Sequence, residues 1–337
     1  MNTGRPHGVP RTILPENGYL GSLDPVVRQE IFSKAALVSD ELKLWAAPYS
    51  TIRTVRTFPL ALSVAAAAPF ATPSELLDTA RVSLWVFTLD DLFDEELFAP
   101  SEIVQKATLY GEIARSETVG PQSDPLAIAL ADVRNHLLEY PLFPSLGGIW
   151  GEAVSRTIAA MTREQEWRNA WRSDGPASLP GYDEYVENGL NSIGGPPHIW
   201  TAMITTDDHS MLDQLDVFAE MERTASTCVR LANDLQSEVK EIEESSPNSL
   251  IILSQALRQR GVEPPEARTR SREWVEEAIG RELVKLESLC DRARTQTGRP
   301  EAVAYNIAHF VCEFYRKHDY HTFHDISDVY SGAPSEN

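Results

Sequence analysis

The chain has 337 residues and a formal net charge of −20, and it is 42% hydrophobic and 24% charged. Such a composition provides for a large globular core, whereas the acidic surface would repel nucleic acids and anionic membranes. The three cysteines are too scattered for a disulfide framework or a cysteine-built zinc site. A secretory signal pattern and an uninterrupted apolar run of about eighteen residues are both absent, so we expect a cytoplasmic protein without membrane insertion.

Helix-like segments follow one another along most of the chain. Residues 1–25, rich in glycine, proline and polar residues, are predicted to be disordered or to form a strap across the folded body. Pro59 and Pro73 stand where helices could begin, because proline is tolerated in the first helical turn. Helices are predicted over the ranges 73–98, 101–116, 126–139, 149–171, 182–193, 210–241, 265–294 and 300–321, with a break forced at 194–197.

No segment alternates strictly between apolar and polar residues, and no hairpin signal joins β-rich runs. The predicted fold is therefore all-α, with about ten helices packed around an interior. We expect a single helical domain over residues 26–325 and a C-terminal tail over residues 326–337.

A carboxylate cluster, Asp90-Asp91-Leu92-Phe93-Asp94, stands near the end of the predicted 73–98 helix. Positions i and i+4 share a helix face, so Asp90 and Asp94 project together with Asp91 beside them. Like charges at this spacing destabilise a bare helix, and hard cations such as Mg²⁺ bind carboxylate oxygens. The cluster is either a solvated helix end or a metal site, and the apolar stretch 82–89 before it favours the metal site.

A second polar stripe lies in the predicted 210–241 helix. Asn233, Ser237 and Glu241 follow at i, i+4 and i+8, so an amide oxygen, a hydroxyl and a carboxylate share one face. These oxygens suit one Mg²⁺ and leave coordination positions for phosphate oxygens, while Lys240 could place a positive charge near a phosphate. The alternative interpretation is the polar outer face of an amphipathic helix.

Together the two clusters resemble the metal motifs of microbial class I terpene synthases, DDxxD at Asp90–Asp94 and NDxxSxxxE at Asn233–Glu241. The order and separation of the motifs and the chain length are also similar, over about residues 26–325. The resemblance implies the class I terpenoid synthase fold, with helices around a central apolar cavity, and an isoprenyl diphosphate as substrate. Homodimers are common in that family, so a homodimer is compatible with the resemblance.

The resemblance also implies three Mg²⁺ ions, for which Mn²⁺ can substitute. Asp90 would bind two ions, and the second motif would bind the third. The implied metal ligands are oxygens of both motifs: Asp90, Asp91, Asp94, Asn233, Ser237 and Glu241. Four of these are expected to be essential for turnover: Asp90, Asn233, Ser237 and Glu241.

Several side chains are expected to line the cavity. Phe87, one turn before Asp90, would look into it and stabilise a carbocation by cation–π attraction. The other expected lining residues are Ser83, Val229 and Ser226. Core packing is the preferred interpretation for Trp85, Trp200 and Phe314.

Two positions depart from the family pattern. The pyrophosphate-sensing arginine of the family corresponds to Glu187, and residues 185–192 contain no arginine. The C-terminal Arg-Tyr pair is missing as well, and residues 314–320 occupy its place. We therefore expect other donors to hold the diphosphate: Lys240, Arg230, Arg316 and Tyr320, with Lys317 or His318 as alternatives to Arg316. A structural salt bridge is the alternative role for Arg230.

These departures favour a divergent member that acts on C20 geranylgeranyl diphosphate, with C15 farnesyl diphosphate or a precyclised diphosphate as further options. Metal ions would neutralise the leaving group, which explains how an acidic protein binds an acidic substrate. The carbocation would need a dry, apolar cavity, and the product would be a cyclic hydrocarbon or alcohol. No protein residue is identified as a base, and the released diphosphate could take the final proton.

The motifs disfavour two related classes of enzyme, whereas a non-enzymatic function stays an alternative. A chain-elongating prenyltransferase would have DDxxD at both sites, and a protonation-initiated cyclase would have a DxDD motif that is absent here. A non-catalytic helical interaction protein would carry the same acidic stripes facing solvent. His318, His321, His324 and Asp325 could bind zinc or iron, although a polar segment that closes over the active site is favoured.

Overall fold

Helices make up the regular structure of the computed structural model, which describes residues 18–115, 123–318 and 320. These residues contain no β-strand, so the predicted all-α class is confirmed. The thirteen α-helices are α1 (Gly18–Ser22), α2 (Pro25–Ala46), α3 (Thr57–Ala67), α4 (Pro73–Asp94), α5 (Pro100–Arg115), α6 (Pro125–Leu137), α7 (Phe143–Asp174), α8 (Tyr182–Ser192), α9 (Gly195–Ile204), α10 (Leu215–Glu244), α11 (Ser249–Gln259), α12 (Pro264–Arg292) and α13 (Arg299–Lys317). Two short 3-10 helices span Pro176–Ser178 and His209–Gln214.

Local sequence signals explain where many of these helices begin. The α4 helix starts with a capping box, in which the Thr72 hydroxyl accepts from the Glu75 backbone N–H while the Glu75 carboxylate accepts from that of Thr72. Pro73 occupies the first turn, where its missing N–H costs nothing. Three other helices have an N-cap side chain that accepts the backbone N–H two residues on: Asp24 for α2, Asp124 for α6 and Asn248 for α11.

The predicted break at residues 194–197 is a turn into another helix. Gly194 ends α8 with a φ of 74°, and α9 begins at the next residue with prolines in its first turn. The first helix, α1, lies in the segment predicted as a strap, and its Tyr19 side chain is buried. Residues 1–17 of that segment, the 326–337 tail, and His321, His324 and Asp325 lie outside the described residues.

Five helices form a closed ring around the centre of the molecule. The α4 helix packs against α3 and α9, α10 packs against α9 and α13, and α13 returns to α3. The α7 and α8 helices pack against each other beside the ring. The α7 helix contacts α4 and α9, and α8 contacts α10. Trp85, Trp200 and Phe314 are buried in the core, as interpreted from the sequence. No helix in the described part of the chain is both long and apolar enough to cross a membrane.

Candidate active site

Two adjoining cavities lie among these helices. We call the first the acidic cavity, because its lining includes Asp90, Asp94, Glu164, Asn233, Ser237 and Glu241. The second is the apolar cavity, lined among others by Leu60, Phe87, His198, Val229, Ile307 and Val311. The two cavities share the lining residues Val86, Phe87, Ile193, Tyr315 and Tyr320. Both sequence motifs therefore reach the same cavity, from α4 on one side and from α10 on the other.

Asp90 and Asp94 contribute the carboxylates of the first motif to the acidic cavity. Burial raises the pKa of Asp90 well above its usual range, and the nearby carboxylates of Asp94, Glu164 and Asp91 raise it further. Asp94 is more exposed, and it accepts a hydrogen bond from Arg168 of α7 at 2.6 Å. A cation bound at the α4 wall would therefore favour the ionised form of Asp90, which the metal-free fold disfavours.

Asp91 lies outside the acidic cavity, contrary to its assignment as a metal ligand. Its carboxylate pairs with Arg56 at 2.8 Å and with Arg53 at 3.5 Å, both from the segment between α2 and α3. Asp91 and Arg56 are both buried. Successive residues of an α-helix differ by about 100° in direction, so the residue after Asp90 faces another neighbour. We therefore assign Asp91 to anchoring α4 and no longer to metal binding.

Asn233, Ser237 and Glu241 line the opposite wall of the acidic cavity. The Ser237 hydroxyl donates to the Asn233 carbonyl at 2.8 Å, and the Glu241 carboxylate accepts from the Asn248 amide at 2.5 Å. Burial, followed by the charge of Asp234, raises the pKa of Glu241 to about 8. The α10 wall thus presents an amide, a hydroxyl and a carboxyl group that is readily ionised by a bound cation.

Asp234, the remaining acid of the second motif, is completely buried on another face of α10. Its carboxylate accepts hydrogen bonds from the Tyr185 hydroxyl at 2.8 Å and from the Ser249 N–H at 3.2 Å. It also pairs with the Arg230 Nε at 3.0 Å. Asp234 therefore joins α10 to α8 and α11 and fixes the position of the stripe beside it.

Arg230 is a buried cation that lines the acidic cavity. Its guanidinium lies 3.3 Å from the Glu164 carboxylate and donates to the Tyr185 hydroxyl, in addition to its pair with Asp234. A Cβ atom at Gly189 of α8 would lie 2.9 Å from the Arg230 side chain, so glycine provides the room for it. Although burial opposes its charge, Asp234 and Glu164 hold the pKa of Arg230 well above its usual range.

Two further charged groups of α7, Glu164 and Arg168, reach the acidic cavity. Glu164 accepts a hydrogen bond from the Ser192 hydroxyl at 2.6 Å, and burial raises its pKa although Arg230 opposes that rise. Burial works against the charge of Arg168, but the Asp94 carboxylate raises its pKa above the usual value. Neither residue was singled out from the sequence, because no local pattern distinguishes them from the other charged residues of this long helix.

The remaining predicted diphosphate-binding residues separate into two groups. Lys240 lines the acidic cavity, and Tyr320 lines both cavities, with its hydroxyl in contact with the Ser63 hydroxyl. Arg316 instead lies in a groove on the other side of α13, beside Gln236 and Arg272. Its neighbour Tyr315 lines both cavities, and successive residues of an α-helix differ by about 100° in direction, so Arg316 points to a different side of α13. We therefore no longer assign Arg316 to diphosphate binding.

The apolar cavity contains the predicted lining residues Phe87, Ser83 and Val229. The Phe87 ring lies 5.5 Å from the Arg56 guanidinium and 5.3 Å from the Tyr320 ring, so aromatic groups mark the border between the two cavities. Ser226 is fully buried but does not line the described cavity, because it packs against Gly195, where a Cβ atom would approach its hydroxyl to 2.5 Å.

The donor chemistry of the acidic cavity fits a metal ion held partly by an anionic ligand. Among the described residues, no group of three or more His, Cys, Asp or Glu side chains could hold a metal ion by itself. The α4 wall offers two carboxylates, and the α10 wall offers one carboxylate with an amide and a hydroxyl. Mg²⁺ is usually bound through one or two carboxylates and completes its coordination with phosphate oxygens and water.

Comparison with known proteins agrees with this geometry. The family model described as "Terpene synthase family 2, C-terminal metal binding" matches residues 81–281. Ent-pimara-9(11),15-diene synthase of Streptomyces sp. (strain KO-3988) is 24% identical over 311 residues, which cover 90% of this chain and 97% of that protein. The bifunctional cis-abienol synthase of Abies balsamea is 26% identical over 166 residues, covering 47% of this chain and 18% of the relative.

Solved structures show the same fold. The crystal structure of 2-methylisoborneol synthase from Streptomyces coelicolor A3(2), in complex with Mg²⁺ and geranyl-S-thiolodiphosphate, superimposes with a TM-score of 0.70. The two chains are 14% identical, and the superposition covers 96% of this chain and 99% of the other. The family model spans more than half of the sequence, and the matched part includes both motifs and most of the chain from α4 to α12. The chain therefore belongs to terpene synthase family 2 and is a metal-binding terpene synthase, a carbon–oxygen lyase that acts on phosphates.

Proposed function

We propose that this terpene synthase ionises and cyclises a linear isoprenyl diphosphate to a cyclic terpene hydrocarbon or alcohol. The observation that carries the proposal is the juxtaposition of the acidic and apolar cavities, which share Phe87 and Tyr320. A charged diphosphate and a long hydrocarbon chain require two such environments side by side. C20 geranylgeranyl diphosphate is the preferred substrate, since the diterpene synthase similarity extends over most of both chains.

The acidic cavity is the proposed site of the diphosphate and of three Mg²⁺ ions, which Mn²⁺ can replace. The proposed metal ligands are Asp90, Asp94, Asn233, Ser237 and Glu241. When bound, Mg²⁺ supplies positive charge that stabilises the departing diphosphate. Arg230, Arg168 and Lys240 would donate hydrogen bonds to the diphosphate oxygens, while Tyr320 would close the border with the apolar cavity.

The apolar cavity is the proposed site of the hydrocarbon chain. Its walls exclude water, which would otherwise capture the carbocation before cyclisation. Phe87 presents an aromatic ring at the point where the cation would first form. Residues 26–325 are proposed to act as one catalytic domain, and the cytoplasmic location and the homodimer remain predictions. Membership in an enzyme family removes the alternative of a non-catalytic interaction protein.

A precyclised C20 diphosphate is the second candidate substrate. The α8 helix, where the sensing arginine of the family is expected, has Glu187 on its exposed side, paired with Arg223. The cations that line the described acidic cavity come from α7 and α10 instead. Such a changed set of donors would accommodate a ring system beside the diphosphate, if the substrate arrives already cyclised.

Incubation with Mg²⁺ and, separately, the C10, C15 and C20 linear diphosphates and a bicyclic C20 diphosphate tests both candidates. Gas chromatography–mass spectrometry of organic extracts should show one cyclic product that EDTA abolishes. Glu241→Gln should abolish it as well, because the neutral amide lacks the negative charge with which the carboxylate holds the cation. Glu243→Gln, an exposed position two residues away, is the matched control and should leave the product unchanged. Turnover that persists in EDTA, or in Glu241→Gln, would contradict the proposal.

A further inference from the structure

His198 is an ionisable side chain in the wall of the apolar cavity. It lies in the first half of α9 and lines this cavity together with Phe87, Val229 and Ile307. It does not belong to the described lining of the acidic cavity. Neither sequence motif includes His198, and a side chain that can carry charge is costly to place beside apolar groups. Its presence there requires an explanation.

The hydrogen bonds around His198 favour one tautomer of the ring. The Ser83 hydroxyl donates its single hydrogen to the Thr79 carbonyl at 2.9 Å, in the i to i−4 bond common for helical serines. The Ser83 oxygen also lies 2.7 Å from the Nδ1 of His198. With the serine hydrogen on the Thr79 carbonyl, Nδ1 carries the hydrogen of the bond between His198 and Ser83. In this tautomer the other ring nitrogen, Nε2, is unprotonated and has a free lone pair.

The Nε2 atom is buried and has no hydrogen-bond partner among the described residues. Other polar groups of the apolar cavity are engaged, since the Ser63 hydroxyl donates to the Pro59 carbonyl at 3.0 Å and contacts Tyr320. An ordered water needs about two to four polar partners, and most of the described lining of this cavity is apolar. The lone pair is unused within the described fold, and the ring that carries it stands in the wall of the apolar cavity.

We infer that the Nε2 atom of His198 accepts the proton that ends the carbocation reaction, and this inference rests on the proposed function. In the proposed step, a C–H bond next to the cationic carbon breaks and its electron pair forms a carbon–carbon double bond. The proton passes to the Nε2 lone pair, which yields an imidazolium and a neutral alkene. Ser83 acts as a positioning residue that keeps the hydrogen on Nδ1.

The charge state of the ring supports this role. Burial lowers the pKa of His198 to about 4, so the imidazole is neutral at neutral pH and does not repel a carbocation. A carbocation is a far stronger acid than an imidazolium, so even a weakened base accepts its proton. The same burial makes the imidazolium short-lived, because it releases the proton to water once the product leaves. The ring is then ready for another turnover.

The tautomer can be measured without substrate. In protein labelled with ¹⁵N-histidine, the signals of His198 are assigned by their loss in His198→Gln, with exposed His209→Gln as a matched control. We expect a neutral ring at pH 7 with the hydrogen on Nδ1, and a mixture of tautomers in Ser83→Ala. A hydrogen on Nε2, or an imidazolium at pH 7, would overturn the inference whatever the enzyme's activity.

The second experiment uses the wild-type protein and two His198 variants with Mg²⁺ and geranylgeranyl diphosphate. In His198→Gln and His198→Ala, diphosphate release should stay within a few-fold of wild type, because ionisation precedes proton transfer. The share of the wild-type alkene should fall at least about tenfold, at the lower end of what a positioned base contributes. Alkenes with shifted double bonds or alcohols should take its place.

Chemical rescue separates a base from a mere wall group. Added 4-methylimidazole should restore the wild-type alkene in His198→Ala, whereas 3-methylthiophene, of similar shape but not basic, should not. Equal rescue by both compounds, or an unchanged alkene in His198→Gln, would overturn the inference but leave the proposed function intact. A wild-type protein that releases no diphosphate from any linear or bicyclic substrate would overturn the proposed function and this role together.

Discussion

Arg230 carries the positive charge that the α8 helix of this protein lacks. Its guanidinium lies between the carboxylates of Glu164 and Asp234, so two negative charges already surround it. Buried ion pairs of this kind are fixed in position, because breaking one leaves an unpaired charge in the core. A cation held in this way does not need to move when a diphosphate binds beside it. Such a fixed positive charge stabilises the negative charge of a departing diphosphate.

We predict that Arg230→Lys lowers the turnover of the C20 diphosphate by about 10²-fold, in the range found when a preorganised donor is lost. An ammonium group can replace the charge but not the simultaneous contacts to Glu164, Asp234 and Tyr185. The measurement is steady-state kcat with Mg²⁺, together with circular dichroism to show that the variant is folded.

The control for this prediction is Arg223→Lys, on the same helix, where the exposed arginine pairs with Glu187 at the surface. That variant should retain wild-type kcat, since exposed ion pairs contribute little. Arg230→Lys with nearly wild-type kcat would return Arg230 to a structural role.

The three aspartates of the first motif are predicted to differ in effect. Asp90→Ala should reduce kcat more than Asp94→Ala, because Asp90 is the more deeply placed of the two proposed ligands, while Asp94 is more exposed and already pairs with Arg168. Asp91→Ala should act on stability, lowering the free energy of unfolding by about 3 kcal/mol, since it removes the buried carboxylate that pairs with Arg56 at 2.8 Å.

Steady-state kinetics and urea unfolding of the three variants distinguish these effects. Equal kcat losses for Asp90→Ala and Asp94→Ala would count against their separate roles. A loss of activity in Asp91→Ala without loss of stability would return Asp91 to the metal site.

Side-chain roles were predictable from sequence where helical spacing alone decides them. Asp90 and Asp94, and likewise Asn233, Ser237 and Glu241, share a face by spacing, and each set lines the acidic cavity. Helical spacing does not show which neighbouring segment packs against each of the other faces of the helix. The direction of Asp91 depends on two arginines from another segment, and that of Arg316 depends on how α13 packs. Arg168, Glu164 and His198 come from helices without a motif, so no local signal could have identified them.

At the scale of elements, the junction between α8 and α9 borders both cavities. Gly194 has a φ of 74°, and a Cβ atom there would lie 2.4 Å from a methyl group of Val86. Val86 and Ile193 both line the two cavities, so the junction determines part of the shape available to substrate. Proline and glycine signals predicted the break, but not the helix that starts immediately after it, because prolines end one helix and begin another equally well.

We predict that Gly194→Ala lowers the free energy of unfolding by about 2 to 4 kcal/mol and changes the product mixture. The cost combines the strain of a positive φ with overpacking against Val86, and the displaced Val86 would alter the walls of both cavities. Gly261→Ala is the control, since Gly261 has a φ of 85° with no atom near the added carbon.

Urea unfolding and product analysis test this pair of variants. Gly261→Ala should show only the strain cost of about 1 to 2 kcal/mol and an unchanged product. Equal destabilisation of the two variants, with unchanged products in both, would show that the contact with Val86 has no effect.

At the scale of the whole molecule, the acidic cavity makes the metal-free protein less stable than its packing would allow. Burial raises the pKa of Asp90, Glu164 and Asp234, and it brings that of Glu241 to about 8. A carboxyl group with a raised folded-state pKa contributes stability that is fully present below its unfolded pKa and lost as the pH rises through the folded value. For Glu241 this loss extends from about pH 4.5 to about pH 8.

Outside the acidic cavity, burial also raises the pKa of Glu222 and brings that of Glu313 to about 7, so these carboxyls act in the same direction as Glu241. The carboxyls of Asp124, Asp208, Glu95 and Glu187 have lowered pKa values, so their contribution is lost only as the pH falls below the usual acidic range. Buried His198 and His309, with pKa values of about 4, add stability as the pH rises to about 6.5 and nothing above it. Between about pH 6.5 and pH 8, the raised carboxyls therefore dominate the pH dependence of the cavity.

We predict that the Tm of EDTA-treated protein falls by about 2 to 5 °C between pH 6.5 and pH 8, the shift expected for one to two kcal/mol in a protein of this size. Adding Mg²⁺ with inorganic diphosphate should reverse the fall, because binding uses the ionised carboxylates and releases their protons. The stabilisation by this ligand pair should therefore grow with pH.

Glu241→Gln should show a smaller fall in Tm and a weaker response to the ligand pair, whereas Glu243→Gln should behave as wild type. Two outcomes would contradict this prediction: a Tm that rises with pH in EDTA, or a stabilisation by the ligand pair that is equal at both pH values. Either would mean that these carboxyls are already ionised in the metal-free fold and that the neighbouring arginines alone neutralise them.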